Sequence, residues 1–325
     1  MKEFVVGKND AGQRLDRWLS KAVPLLPAQL AQKYIRLKRV KLNGKGAKQD
    51  TRLCTGDLLQ LYINDEFFDR PREDNAFLAV FKPHLNIIYE DENLLLCNKR
   101  PGLLCHPDQN EYIATLITHI QAYLYQKREW DPKAENSFTP SLCNRIDRNT
   151  GGIVIAAKTA EALRILNQKI KDREMEKKYL AIIHGRITPP SGKLEGFLVK
   201  DEVKKQVSVY NRPMPGGKTS ATIYRTLASA NGLSLIECEL ITGRTHQIRA
   251  QFAAAGHPLL GDGKYGRQKD NKQFDRKFQA LYSYKLTFSF ETDAGCLNYL
   301  NGKSWQVETV DFVNEYFPNY KISNT

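Results

Sequence analysis

Short apolar runs that recur from residue 94 onward place the strongest limit on what this chain can fold into. Leu94–Cys97, Ile153–Ala157, Leu180–Ile183 and Leu233–Ile241 each have the length and composition of a buried β-strand. A helical pattern lies between two of them, at residues 159–170, but strands and helices do not alternate regularly. The pattern therefore predicts a mixed sheet and argues against a doubly wound parallel one.

The first 65 residues form a separate unit in both pattern and charge. Residues 15–22 and 30–35 have helical spacing, and residues 40–42 and 59–63 alternate like short strands. This stretch holds 13 basic and 6 acidic side chains, so it carries +7 of the chain's net +13. Such an excess attracts polyanions, although charge alone is equally compatible with a solvated face. The candidate RNA-binding residues are Lys33, Arg36, Lys38, Arg39 and Lys41.

The length of 325 residues is sufficient for two domains. A polar stretch with Pro71 and Pro83 predicts a linker over residues 66–85, which leaves 1–65 and 86–325 as the domains. No run approaches the roughly 20 apolar residues of a membrane span, and the first ten residues lack the apolar region of a signal peptide, so we expect neither a membrane span nor secretion by a signal peptide. The six cysteines occur singly, so we expect no disulfide framework and a reducing cytoplasm.

Two common types of site can be set aside. Gly216-Gly-Lys-Thr has Arg212 where a phosphate-binding P-loop needs glycine, so ATP binding of that kind is not expected. His246, His257 and Asp262 have no spacing typical of metal ligands, so we expect no metal site.

The segment Asn144-Arg-Ile-Asp-Arg-Asn-Thr-Gly-Gly leads directly into the apolar strand at 153–157. Asn-Thr-Gly-Gly is typical of a turn, so we expect Asp147 on a loop that a rigid core strand supports. The flanking Arg145 and Arg148 would keep its carboxylate ionised and attract phosphate. A turn aspartate that only caps a backbone amide has the same pattern, so this segment alone leaves both interpretations open.

A second polar segment, Thr242-Gly-Arg-Thr-His-Gln-Ile-Arg, follows a strand and begins a helix. Thr245 is its expected N-cap and Gly256 its expected end. His246 and Arg249 lie three residues apart, on one face of the first turn. A helix N-terminus with a guanidinium group makes an anion site, whose ligand is either an RNA phosphate or a protein carboxylate.

Four segments resemble, in chain order, the signatures of the RluA-type pseudouridine synthases. Lys99-Arg-Pro-Gly-Leu-Leu-Cys-His-Pro is similar to their entry motif, and the Asp147 segment is similar to His-Arg-Leu-Asp-x-x-Thr-Ser-Gly. Lys178-Tyr-Leu-Ala-Ile-Ile-His-Gly resembles their tyrosine motif. Gly243-Arg-Thr-His-Gln-Ile-Arg and Gly256-His-Pro-Leu-Leu-Gly-Asp resemble their later signature.

This resemblance has departures, and it extends to the N-terminal region. Asn144 stands in place of the usual histidine, Ile146 in place of leucine, and Gly152 near the usual serine, while the carboxylate, the arginines and the tyrosine are present. Residues 14–59 resemble the small S-four-like RNA-binding module. The combined resemblance implies an α+β protein with an S-four-like domain and a catalytic domain on a mixed, mainly antiparallel sheet.

By this resemblance Asp147 is the catalytic carboxylate, acting at the anomeric carbon or on the base ring, and Arg249 pairs with it. Tyr179 would stack on the flipped uracil and help to remove the proton from carbon 5, although its spacing alone also fits core packing. Arg145 would occupy the space that the base vacates. The substrate-binding candidates are Arg145, Arg148, His106, Thr245 and His246.

The function implied is the isomerisation of uridine to pseudouridine in structured RNA, most closely as in the members that act on large-subunit ribosomal RNA. The reaction has no redox step and no group enters or leaves, so no cofactor is expected. We also expect a monomer. Two other classes remain open at this stage: an RNA-binding or ribosome-assembly protein without chemistry, and a nucleotide hydrolase that uses a carboxylate pair or a metal.

Overall fold

The computed structural model describes residues 1–68, 72–266, 271–272, 274 and 276–322. Its α-helices in this part of the chain are α1 (Leu15–Ala22), α2 (Ala28–Arg36), α3 (Leu116–Gln126), α4 (Ala160–Asp172), α5 (Gln247–Ala254) and α6 (Asp311–Tyr316). Short 3-10 turns cover Asp65–Phe68, Arg72–Ala79 and Gly295–Leu300.

The strands form two sheets. Their bounds are β1 (Lys2–Val5), β2 (Val40–Leu42), β3 (Lys45–Gly46), β4 (Leu58–Leu61), β5 (Ile87–Glu90), β6 (Leu94–Lys99), β7 (Ser141–Leu142), β8 (Gly151–Ala157), β9 (Met175–His184), β10 (Ser191–Asp201), β11 (Gln206–Tyr210), β12 (Lys218–Ala230), β13 (Leu233–Leu240), β14 (Leu281–Phe288) and β15 (Ser304–Gln306). The small sheet has the order β1-β4-β2-β3. The large sheet has the order β11-β10-β12-β13-β9-β14-β8-β6-β5, with β7 added beside β8 and β15 beside β14.

The N-terminal domain packs α1 and α2 against the small sheet. Leu15, Trp18 and Leu19 of α1 are fully buried, because their i, i+3, i+4 spacing puts them on one face of the helix. Leu59 and Leu61 of β4 are buried on the other side of this core. The two predicted helices and the strands after them are confirmed, whereas β1, which pairs with β4, was not foreseen.

The large sheet is mixed and mainly antiparallel, as expected. Among its described strand pairs, only β8 and β14 run parallel, with Tyr282 opposite Gly151 and Ser283 opposite Gly152. Helices cover both faces of this sheet. Successive residues of β6 point to opposite faces, so they pack against different helices. Leu94 and Leu96 pack with α4 and α6, and Leu95 and Cys97 pack with α3.

A third apolar cluster lies where α5 covers β9 and β13. It contains Ala181 of β9 and the α5 residues Ile248 and Phe252. Ile146 packs against both this cluster and the α3 cluster. The loop that carries Asp147 is therefore held between the two halves of the catalytic domain.

The start of α5 differs from the sequence prediction, and the predicted linker is partly packed. The expected N-cap Thr245 is wrong: α5 begins at Gln247, and His246 precedes it with a left-handed φ of 54°. The side chain of Gln247 accepts bonds from the Arg244 amide and the Thr242 hydroxyl, so it closes the turn in place of Thr245. The predicted linker 66–85 includes residues 69–71, which lie outside the described residues. Its Phe77 is buried in the α3 cluster.

Candidate active site

The loop that carries Asp147 is fixed at both ends. The Asn144 side chain accepts the amide of Ile155 in β8, and the Arg148 carbonyl accepts bonds from the Lys99 ammonium and the Gly102 amide. Gly152 has a φ of +116°, and a Cβ there would lie 2.1 Å from the Ser283 carbonyl oxygen. Only glycine permits this close approach of β8 to β14, and this contact fixes the point at which the loop ends and β8 begins.

Arg249 connects Asp147 to a second carboxylate. Its Nη1 donates to Asp147 Oδ2 at 2.8 Å, while Nε and Nη2 donate to Asp262 at 2.7 and 2.9 Å. Asp262 is fully buried and also accepts the amides of Lys264 and Tyr265. The predicted pairing of Arg249 with Asp147 is present in the structure, and α5 turns the guanidinium toward both carboxylates.

Electrostatics supports this arrangement. Burial alone would raise the pKa of Asp262, but the bonds and charge of Arg249, with the two amides, hold it below its usual value. Burial would lower the pKa of Arg249, and the two carboxylates instead raise it above its usual value. Arg249 and Asp262 are therefore both charged at neutral pH, in a fixed two-bond geometry.

Tyr179 lies on β9 and is 6% exposed. Burial raises the pKa of Tyr179 to about 12, against a hydrogen bond with Ser283 that lowers it, and the charge of Asp147 raises it further. The phenol therefore keeps its proton at neutral pH and can donate a hydrogen bond, while its ring can stack. A phenolate that removes a proton is disfavoured in the free enzyme.

One cavity of about 540 Å³ brings the candidate residues of the second domain together. It is lined by all eight predicted catalytic and substrate-binding residues, namely His106, Arg145, Asp147, Arg148, Tyr179, Thr245, His246 and Arg249. Arg145, Arg148 and Thr245 are exposed, so they stand at the rim, and Tyr179 and Arg249 are buried. The volume lies within the range of ordinary ligand sites.

Two histidines border the cavity. His246 Nε2 lies 3.9 Å from Asp147 Oδ2, and its Nδ1 is hydrogen-bonded to the Tyr265 hydroxyl at 2.8 Å. Burial lowers the pKa of His246, and although Asp147 opposes this the net direction is down. Burial and Arg145 also lower the pKa of His106, whose buried Nδ1 has no hydrogen-bond partner in the described part of the chain. Both rings therefore favour the neutral form.

Three residues of the site were not found by sequence reasoning. Asp262 ends the later family signature and was considered as a metal ligand, but its bond to Arg249 was not predicted, and its place in a glycine-rich corner was the available signal. Lys99 is buried, donates to the carbonyls of Arg100, Leu103 and Arg148, and burial lowers its pKa to about 8. Lys177 lies two residues before Tyr179 on β9 and lines the same cavity, and burial lowers the pKa of its ammonium.

The residues once weighed as metal ligands are engaged elsewhere. Asp262 accepts hydrogen bonds from Arg249, and His257 Nδ1 contacts the His184 carbonyl oxygen at 3.0 Å. The described residues contain no group of three or more histidine, cysteine or acidic side chains placed to hold a metal. They also contain no helix that is long and apolar enough to cross a membrane.

The basic residues of the N-terminal domain lie on its surface. Lys33, Arg36, Lys38 and Arg39 are exposed at the end of α2 and after it, and Lys41 is half-buried on β2. The Arg39 guanidinium lies 5.1 Å from the centre of the Tyr34 ring, and the Lys41 ammonium lies 5.1 Å from that of Tyr62. The ring of Tyr62 is exposed beside these cations, as in surfaces that bind single-stranded nucleic acid, whereas the ring of Tyr34 is buried.

Comparison with known proteins identifies the family. Residues 93–254 match the family model described as RNA pseudouridylate synthase, and residues 13–59 match the S4 domain. An uncharacterized RNA pseudouridine synthase of Mycoplasma genitalium is 35% identical over 88% of each chain. Ribosomal large subunit pseudouridine synthase C of Vibrio parahaemolyticus is 31% identical, over 86% of this chain and 82% of its own length.

A solved structure is also similar. Human RNA pseudouridylate synthase domain containing 4 gives a TM-score of 0.54, covering 74% of this chain and 94% of that chain at 20% identity, which supports the fold. Together with the sequence relatives, this agrees with the mixed sheet and with the order of the two domains. The chain belongs to the RluA-type RNA pseudouridine synthases that carry an N-terminal S4 domain, and it is an isomerase of this family.

Proposed function

We propose that this enzyme converts uridines of large-subunit ribosomal RNA to pseudouridine, with Asp147 as the catalytic carboxylate. The observation that carries the proposal is the placement of Asp147, Arg249 and Tyr179 around one cavity, with Arg249 braced by Asp262. The target class rests on relatives named as large-subunit pseudouridine synthases C and D. Family membership favours this function over RNA binding without chemistry and over nucleotide hydrolysis.

The isomerisation requires few chemical groups. The bond from ribose carbon 1 to uracil nitrogen 1 breaks, the base turns, and carbon 5 bonds to ribose in its place. Carbon 5 then loses its proton and nitrogen 1 gains one, so the product is an isomer of the substrate. The target base must first leave the RNA stack, at a cost of a few kcal/mol. In the proposed site the Asp147 carboxylate meets positive charge at the anomeric carbon or forms a bond there or on the base.

The remaining residues position the nucleotide. Arg249 holds Asp147 and keeps its charge available, and Tyr179 stacks on the uracil with its hydroxyl protonated. Arg145, exposed at the rim, would fill the space that the base vacates, and Arg148, Thr245, His246 and His106 would contact the RNA or shape the cavity. We propose no cofactor, no metal, a monomer in the cytoplasm, and domain limits of 1–65 and 86–325 with a linker between them.

The deciding experiment maps pseudouridine in total RNA from cells with and without the gene. The proposal requires at least one large-subunit uridine to lose its modification and to regain it when purified enzyme is added to that RNA. Loss of a modification only in transfer RNA would overturn the proposed target while leaving the chemistry intact. No change at any uridine would overturn both.

Tyr179→Phe separates the ring from the hydroxyl. We expect RNA affinity to stay within about twofold, because the stacking ring remains, and turnover to fall by about 10²–10⁴-fold, because the protonated hydroxyl that would donate to the reacting base is lost. Single-turnover rates at saturating RNA would measure this. Tyr210→Phe, a half-exposed tyrosine on β11, is the matched control. An unchanged rate in Tyr179→Phe would restrict this residue to stacking.

The basic surface can be tested by its salt dependence. Replacing Arg36 and Arg39 by Gln should weaken RNA binding and reduce the slope of log affinity against log salt by about 1.4, at about 0.7 per lost single-strand phosphate contact. Filter binding between 50 and 300 mM salt would measure the slope. Replacing the exposed Arg128 and Lys303 of the second domain by Gln controls for net charge. Equal slopes in both double variants would rule out a specific role of the basic surface of the N-terminal domain.

A further inference from the structure

The two domains are joined by polar contacts that neither the family signatures nor the cavity explains. They involve residues 7–13, between β1 and α1, which we call the docking loop, and residues 131–137 after α3, which we call the receiving loop. Asp10 of the docking loop is 1% exposed although it carries a carboxylate. Buried carboxylates need partners, and most partners of Asp10 come from the other domain.

The contacts of Asp10 cross directly between the loops. Its Oδ1 accepts the Ser137 hydroxyl at 2.5 Å, and its Oδ2 accepts the Asn136 amide at 2.7 Å. Within its own domain the carboxylate accepts the Gly7 amide, at 3.3 Å. Gln13 adds a bond to the same Ser137 hydroxyl at 2.9 Å. One carboxylate thus organises both loops.

Further bonds spread this junction over the catalytic domain. Asn9 donates to Glu135 at 2.6 Å and accepts the amide of Ala160, the first residue of α4, at 3.0 Å. Asn136 also donates to the Val5 carbonyl at 2.8 Å. Including a bond from Arg164 to the Ala11 carbonyl, seven hydrogen bonds join the two domains within the described residues.

We propose that the docking loop is a specificity-determining element, in which Asn9, Asp10 and Gln13 hold the basic surface of the N-terminal domain at a fixed distance from the Asp147 cavity. The proposal rests on the proposed function, since it concerns how RNA reaches that cavity. An RNA that touches both sites gains the second contact as an intramolecular event, at an effective concentration set by how the domains are held. An RNA whose two binding regions have the wrong spacing makes only one of the two contacts. The junction therefore selects RNAs by the distance between these regions.

The chemistry of the junction suits such a role. It is built from side-chain hydrogen bonds, several of them to the carboxylates of Asp10 and Glu135, and interfaces of this polar kind between domains generally permit movement. Water can replace each bond when the domains separate, so the docked state needs the full set of contacts. Removing the side chains of Asn136 and Ser137 eliminates four of the seven bonds and should release the N-terminal domain without unfolding either part.

The test uses the full-length double variant Asn136→Ala with Ser137→Ala, whose side chains lie outside the cavity. The control is Asn314→Ala with Ser289→Ala, two exposed residues whose side chains make no hydrogen bond in the described part of the chain. Both proteins and the wild type are assayed on two RNAs that contain a mapped target uridine. One is the complete transcribed large-subunit RNA domain, and the other is a short stem-loop that reaches only the cavity.

We expect kcat/KM of the junction variant on the long RNA to fall by about tenfold or more, with kcat at saturation and all rates on the short stem-loop unchanged. Small-angle scattering should show a larger radius of gyration for this variant alone. Unchanged kcat/KM on the long RNA would overturn the proposal, as would an equal loss on both RNAs, which would indicate damage to the catalytic domain. Pseudouridine formation by the wild type on either RNA tests the proposed function separately.

Discussion

Asp147→Asn is expected to reduce pseudouridine formation by at least about 10³-fold, with the fold and RNA affinity retained. Asparagine has almost the same shape and its carbonyl can still accept the Arg249 bond that now measures 2.8 Å. It has no negative charge to meet the developing charge at the anomeric carbon, and it is a far weaker nucleophile. Single-turnover assays on target RNA, read by chemical mapping of pseudouridine, would measure the loss.

Asp108→Asn is the matched control for this prediction, because Asp108 lines the same cavity but is exposed and contacts only backbone amides of its own loop. It should keep nearly full activity. RNA dissociation constants of both variants should equal that of the wild type. Substantial activity in Asp147→Asn would assign the chemistry to another group.

Asp262→Ala should have the largest effect on stability, a loss of about 3–5 kcal/mol in the free energy of unfolding. The substitution leaves the Arg249 guanidinium buried, with its Nε and Nη2 hydrogens deprived of their acceptors. Urea denaturation followed by circular dichroism would measure it. Turnover of the folded fraction should fall as well, because Arg249 no longer holds Asp147 in place.

Glu195→Ala supplies the control, since Glu195 pairs with Lys193 on the surface and both side chains are about half exposed or more. An exposed pair of this kind contributes about 0–1 kcal/mol, so this variant should unfold nearly as the wild type does. A loss below about 1 kcal/mol in Asp262→Ala as well would show that Arg249 finds another partner.

Acid titration gives a second measure of the same pair. The pKa of Asp262 is lowered in the folded protein, so its contribution is complete above the usual carboxyl range and is lost as the pH falls through the lowered value. The wild type should therefore lose stability toward acid, and Asp262→Ala should lose less over the same range. Equal acid sensitivity in both proteins would contradict this assignment.

The sequence was most informative where residue type and order both carry a signal. Asp147, Tyr179 and Arg249 lie far apart in the chain, yet their motifs predicted one site, and all three line one cavity. Asp262 was missed because its role depends on a partner brought close only by tertiary structure. The start of α5 was misplaced because the side chain of Gln247 supplies the bonds expected of a capping residue.

The junction between domains could not be read from the sequence for a related reason. Asn9, Asp10 and Gln13 have no periodicity, and polar residues beside glycines are ordinary in loops. Their importance comes from a receiving loop more than 110 residues away. The strand β1 is also short and largely exposed, so its sequence lacks the apolar alternation of a half-buried strand.

Ile146 has a wider consequence, because it joins two apolar clusters beside Asp147, the proposed catalytic carboxylate. Because Ile146 is packed on both sides, the loop can move away from the cavity only if both clusters open. The position of the loop should then be as stable as the sheet that supports it, unlike the mobile loops that form many active sites. Heating would leave activity intact until the whole domain melts, so inactivation and global unfolding would share one midpoint.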